Sequence, residues 1–213
     1  MNYNCEKSTN NNYTIFCSSD REIYFNGYIN SESIAKLIRQ LKECEKKELD
    51  SININKRFKE LTNFFSEEDK KKLLIMKELE NEPIKLFINS FGGEFFQALF
   101  AVDQIKTLKV PVHTVVSGIA ASAATILSLA GKKRFITKNS HMLIHDLRSG
   151  YRLGKKSELL DESENITKLS DLLLNYYAEN TKITRDELSK ILDRDRYWNA
   201  TECLDKGLVD EII

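Results

Sequence analysis

The sequence predicts an α/β fold in one domain, built from repeated strand-turn-helix units around a parallel sheet. Three observations carry that prediction. The apolar run Ile84–Ile88 ends in Asn-Ser-Phe-Gly-Gly and is followed by Phe96, Leu99, Phe100 and Ile105 at helical spacing. The β-branched run Val112–Val116 repeats the pattern: Gly118 breaks it, and Ala120–Ala130 is small and apolar enough for a helix buried on every side. Two such units in succession imply parallel neighbours, which need a long connection between them. Finally, 213 residues lie within the reach of a single α/β domain.

Taken in order, residues 1–13 are polar and Asn-rich, and read as a mobile arm with too little apolar surface to offset the entropy of ordering. A single domain then spans 14–213. Glu22–Asn30 reads as strand then turn. Ile34, Leu37, Ile38 and Leu41 share one face of a helix that Asn30 or Ser31 can cap. Residues 46–82 form a charged, partly helical insertion, with Ser-Glu-Glu-Asp at 66–69 resembling a capping box ahead of Leu73, Leu74 and Met76. After the two central units, Arg134–Ile136 and Met142–Ile144 read as short strands. Lys156–Asn180 is a long helix with Leu159, Ile166, Leu169, Leu173, Tyr176 and Tyr177 near one stripe. Thr184 with Glu187 caps a short helix, and Asn199 with Glu202 caps another that stops at Gly207.

Composition excludes several classes. Lys+Arg and Asp+Glu balance at 32 each, so no broad basic surface is available to neutralise nucleic-acid phosphates. The four cysteines, Cys5, Cys17, Cys44 and Cys203, have neither CxxC nor metal spacing, which fits reduced thiols in a cytoplasmic compartment and no metal site. The N-terminus lacks the basic and apolar regions of a secretory signal. The uncharged stretch from Val110 to Gly131 contains Pro111, His113, several hydroxyls and Gly118, and so reads as buried strand, turn and helix, not as a membrane span.

The chemistry follows from where the units end. Serine-dependent amide hydrolysis needs a hydroxyl, a neutral imidazole, a carboxylate to orient it, and N–H donors for the oxyanion. Ser122, in Gly-Ile-Ala-Ala-Ser-Ala-Ala, follows a strand and opens a helix, where backbone N–H groups lack intrahelical partners. Gly92 and Gly93 end a neighbouring strand at the same edge and can supply a second donor. Of three histidines, His113 lies within a strand and His141 in a polar turn, whereas His145 closes Met142–Ile144 at the carboxyl end, where parallel sheets bind ligands. Spacing alone does not choose among 32 carboxylates.

The stretches INSFGG, GIAASAATILSLAG, MLIH and LDRDRYWNATECLDKGLVDEI, in this order and spacing over about 85–213, resemble the proteolytic subunit of Clp proteases, with a weaker match at 22–42. The resemblance implies a Clp-protease/crotonase-like fold with a protruding handle helix at 156–180. It implies a serine endopeptidase acting on unfolded proteins or peptides, with Ser122 as nucleophile, His145 as base and Asp195 as acid. Oxyanion donors then fall on Gly92 and Ala123, and substrate binding on Gly93. No cofactor is implied. A homo-oligomer of stacked heptameric rings and an ATP-driven AAA+ unfoldase partner are further implications. The chain departs from the family pattern at Phe91, Ala123 and Asp146-Leu147, in its N-terminal arm and in the insertion. Two alternatives remain: a catalytically weak subunit of a mixed ring, and an acyl-CoA enzyme of the crotonase fold, whose chemistry needs no such triad.

Overall fold

The computed structural model describes residues 13–19, 21–61, 82–148, 150 and 153–213, with 53–61 as backbone only. The elements are β1 (Tyr13–Ser19), β2 (Glu22–Gly27), α1 (Ser31–Leu61), β3 (Ile84–Ser90), α2 (Phe95–Thr107), β4 (Val112–Ala121) and α3 (Ala123–Ser128). They continue with β5 (Lys133–Ile136), β6 (His141–Ile144), α4 (Lys156–Asn180), α5 (Arg185–Leu192), β7 (Arg196–Asn199), α6 (Ala200–Asp205) and β8 (Glu211–Ile212). The fold is the expected α/β class.

The sheet runs β1-β2-β3-β4-β5-β8, with β6 on β4 and β7 on β6. Pairings β2 to β3, β3 to β4, β4 to β5 and β4 to β6 are parallel, as the repeated units require. β4 is the trunk. Its first half, His113–Val116, pairs with β5, and its second, Ile119–Ala121, pairs with β6. The transition is at Gly118, whose φ of 109° only glycine adopts easily. The Asn89 Oδ1 accepts from Ile119 N–H at 3.2 Å, and Ser140 Oγ accepts from Gly118 N–H at 2.6 Å. These side chains replace the ladder bonds that the irregularity interrupts.

One face of the sheet carries Ile23, Phe25, Ile84, Leu86, Ile88, Val112 and Val116, all buried against α1, α2 and α3. Each such side chain contributes roughly 1.5–3 kcal/mol on leaving water. The other face carries Phe16, Tyr24 and Phe87 in a stacked row, with centroids 4.8 and 4.4 Å apart. His113 sits beside Phe135 in that layer, 5.8 Å between centroids. Burial, then Lys133, Lys132 and Lys85, hold its imidazole below the ordinary value, consistent with the structural role read from the sequence.

Several boundaries differ from expectation. β1 begins at Tyr13, whose buried ring belongs to the core, one residue inside the segment read as an arm. Residues 1–12, and the capping box at 66–69 with Leu73, Leu74 and Met76, lie outside the described residues. Asn30 is the cap of α1, its Oδ1 accepting from Ser33 N–H at 2.8 Å, and this helix continues to Leu61 inside the charged insertion. α2 buries Ala98, Ala101, Val102 and Ile105, whereas Phe96 and Phe100 are exposed. The apolar stripe is therefore rotated from the one the aromatic residues marked. The segment 120–130 is a helix only from Ala123, because β4 runs through Gly118 to Ala121. No helix among the described residues is long and apolar enough to cross a membrane.

Candidate active site

Ser122 is the one non-glycine among the described residues with positive φ, at 56° with ψ −129°. Such a conformation costs of order 1–3 kcal/mol and persists only where the surroundings over-determine it. They do so here. The Ser122 N–H donates to Leu143 C=O of β6 at 2.8 Å, and its own C=O accepts from Thr125 N–H at 2.9 Å and Thr125 Oγ1 at 2.6 Å. Thr125 spends its only hydroxyl proton on that carbonyl, so the Tyr177 hydroxyl donates to Thr125 Oγ1. A fully buried tyrosine of α4 thus supports the backbone of Ser122. Burial raises the Tyr177 phenol well above its ordinary value, which keeps it a donor.

Gly92 is pressed against this serine. A Cβ on Gly92 would lie 2.6 Å from Ala121 O, 2.8 Å from Ser122 Cβ and 3.0 Å from Ala123 N, and its φ is 100°. The two strand ends therefore meet, as the paired units predict. We expect Gly92→Ala to cost about 3 kcal/mol from overpacking and strain. Urea denaturation of the variant checks this, and an unchanged midpoint would show that the edge is looser than described.

The Gly92 N–H donates to Ser90 Oγ at 3.0 Å. Gly93 forms a parallel bridge to Ile29, with Ile29 N–H donating to Gly92 C=O at 2.8 Å and Glu94 N–H to Ile29 C=O at 2.9 Å. In such a bridge the N–H of Gly93 itself points away from Ile29. Ala123 opens α3, where its N–H has no intrahelical acceptor.

His145, half-buried, follows the last residue of β6. Its Nδ1 bonds the Asp146 C=O. A carbonyl only accepts, so Nδ1 carries a proton, and in the neutral imidazole Nε2 then holds the lone pair. The Asp146 carboxylate accepts from Leu147 N–H at 2.7 Å and from Ser170 Oγ of α4 at 2.8 Å, so it is turned to the helix. Its N–H donates to Leu192 C=O at 3.0 Å.

β6 and β7 pair antiparallel with Ile144 opposite Arg196, and one further step of that register sets His145 opposite Asp195. Asp193 falls two residues beyond, at the C-cap of α5. Asp195 is exposed and its carboxylate pairs with Arg148. Among the described residues no hydrogen bond joins His145 to Asp195 or to Ser122. The structure thus unites Ser122, Ala123, Gly92 and Gly93, and sets His145 and Asp195 on adjacent strand ends with other partners.

Sequence reasoning missed Ser90, Thr125, Tyr177 and Arg148. Ser90 and Thr125 lay within the quoted stretches INSFGG and GIAASAATILSLAG, and Tyr177 within the helical stripe, but nothing local assigned them a part in the site; Arg148 lay in no motif. Among the described residues no group of three or more His, Cys, Asp or Glu side chains converges as a metal site requires. Among the described residues, Cys17, Cys44 and Cys203 form no disulfide.

Comparison with known proteins adds a family. The Clp protease family model matches residues 51–213. The ATP-dependent Clp protease proteolytic subunit of Deinococcus radiodurans is 32% identical over 143 residues, covering 66% of this chain and 70% of that protein. Proteolytic subunit 2 of Treponema denticola is 35% identical over 156 residues, 72% and 78% of the two chains. Proteolytic subunit 1 of Chlamydia pneumoniae is 38% identical over 135 residues, 62% and 71%.

Proposed function

The chain belongs to the Clp protease family, and on that premise we propose that it is a serine endopeptidase with Ser122 as nucleophile, His145 as base and Asp195 as orienting acid. The observation that carries this reading is the strained Ser122, held between the Gly92 turn and the start of α3. Strain of this kind clusters at active sites, where it pre-organises a reacting group.

In the proposed reaction Ser122 Oγ attacks the scissile carbonyl while His145 Nε2 takes the hydroxyl proton and then delivers it to the leaving amine. Water repeats the sequence on the acyl-enzyme and regenerates the serine. The Ala123 N–H and a glycine N–H stabilise the oxyanion. Gly92 serves once it leaves Ser90 Oγ, while the Gly93 N–H, not used by the Ile29 bridge, would need no such exchange. The third member requires one rearrangement: Asp195 leaves Arg148, and the His145 Nδ1–H moves from the Asp146 carbonyl to the Asp195 carboxylate.

A second reading, a catalytically weak subunit of a mixed ring, has one observation in its favour: Asp195 is bonded to Arg148 and not to His145. Hydrolysis of a fluorogenic peptide amide by the purified protein separates the two. Turnover supports the peptidase, and its absence from a correctly assembled protein favours the weak subunit.

The substrates we propose are unfolded proteins or peptides, reached inside stacked heptameric rings. Family membership and α4 support this. That helix leaves Leu159, Leu160 and Leu172 exposed among Glu158, Asp161 and Glu164, as expected for a partner-facing surface. An AAA+ unfoldase is the proposed partner for folded substrates, and the cytoplasm the proposed compartment. Sedimentation velocity should show a large oligomer, and a single monomeric species across micromolar concentrations would contradict the ring.

A further inference from the structure

A cleft of about 370 Å³, with neither Ser122 nor His145 in its lining, lies between α5, β7 and α6. Its walls follow from local periodicity. Glu187, Lys190 and Arg194 stand three and four residues apart, on one stripe of α5 and its C-terminal turn. Arg196 and Trp198 alternate onto one face of β7. Glu202 and Lys206 lie one turn apart on α6 and its cap.

The charges on these walls do not cancel. Both carboxylates are already committed. Glu187 accepts from Lys206 Nζ at 3.2 Å, and Glu202 accepts from the Asn199 N–H at 2.8 Å as part of a capping box. Asp195, between the two arginines in sequence, is held by Arg148. Lys190, Arg194 and Arg196 therefore face the cleft with no carboxylate partner among the described residues. Four cations, Lys190, Arg194, Arg196 and Lys206, against the two carboxylates leave an excess of positive charge around one concavity, a standing attraction for an anion. Lys190 lies on the last turn of α5 and Arg194 just past its C-cap, so the charges are spread along one wall. Guanidinium groups bind phosphate oxygens in pairs. The half-buried Trp198 ring adds a flat apolar wall beside them.

We propose that this cleft binds a polyphosphate anion, free or carried by a nucleotide, through Lys190, Arg194 and Arg196, with Trp198 against any attached ring. The site needs no part of the Ser122 chemistry, so it stands or falls separately.

Trp198 is the only tryptophan in the chain, so its fluorescence reports on this cleft directly. The full-length protein is titrated with sodium tripolyphosphate and, separately, with ATP, at constant ionic strength. We expect a saturable change with Kd below about 1 mM for at least one of the two. Equal affinities identify the phosphate chain as the ligand, and tighter ATP binding shows that the ring contributes. Lys190→Glu should raise Kd at least about tenfold, some 1.4 kcal/mol, and Lys190→Gln by less, both with wild-type circular dichroism. The proposal is overturned if neither anion saturates, or if the folded Lys190 variants bind as the wild type does.

Discussion

Ser122→Ala is expected to lower peptide turnover on the order of 10⁶-fold, the loss that follows removal of a triad nucleophile. The fold should survive. The Ser122 side chain has no hydrogen bond among the described residues, so its removal orphans no buried partner. The strain at φ 56° lies in the backbone, and alanine inherits it. Ser122→Gly loses the same hydroxyl but relaxes the conformation, and should raise stability by about 1 kcal/mol relative to Ser122→Ala. Turnover of a fluorogenic peptide and thermal melts of the two variants together check the account. Activity within tenfold of wild type in either variant would remove Ser122 from the mechanism.

Asp195→Asn is the second large effect, with turnover expected to fall by about 10⁴, as when an orienting carboxylate becomes an amide. Stability should barely change, because the ion pair lost with Arg148 is exposed on both sides and such pairs contribute little. Asp193→Asn should leave turnover near wild type, since the β6 to β7 register sets Asp195, not Asp193, opposite His145. Steady-state rates of both variants decide the matter. A mild effect of Asp195→Asn would mean that the Asp146 carbonyl, which already holds Nδ1, suffices to orient the imidazole. A larger effect of Asp193→Asn would move the acid to that residue.

Much of this arrangement was legible in the sequence because it depends on local signals. The paired strand-glycine-helix units, the caps at Thr184 and Asn199, and the stop at Gly207 are all written within a few residues of where they act. The family resemblance then distinguished Asp195 from the other carboxylates, which no local signal does. What stayed hidden depends on partners distant in the chain. β4 passes through Gly118 because Asn89 and Ser140 take over the interrupted ladder bonds, so the Ala-rich run after it opens as strand and turns helical only at Ala123. Phe96 and Phe100 looked like core residues by type, but close packing of α2 against α1 and α3 selects the small side chains Ala98 and Ala101 for the inner face. β1 was missed although Tyr13, Ile15 and Cys17 alternate, because the Asn-rich lead-in masks so short a period. The contacts that Arg148 makes with Asp195, 47 residues away, and that Tyr177 makes with Thr125, 52 residues away, leave no periodic trace at all.

The central claim is that Ser122 is an activated nucleophile beside an oxyanion site, and covalent labelling tests it most directly. The purified protein is treated with a fluorophosphonate probe, digested and mapped by mass spectrometry. The account predicts one modified residue, Ser122, with labelling abolished in Ser122→Ala and strongly slowed in a His145→Ala variant that remains folded. Modification of a different serine, or peptide hydrolysis by a protein whose Ser122 stays unlabelled, would contradict it.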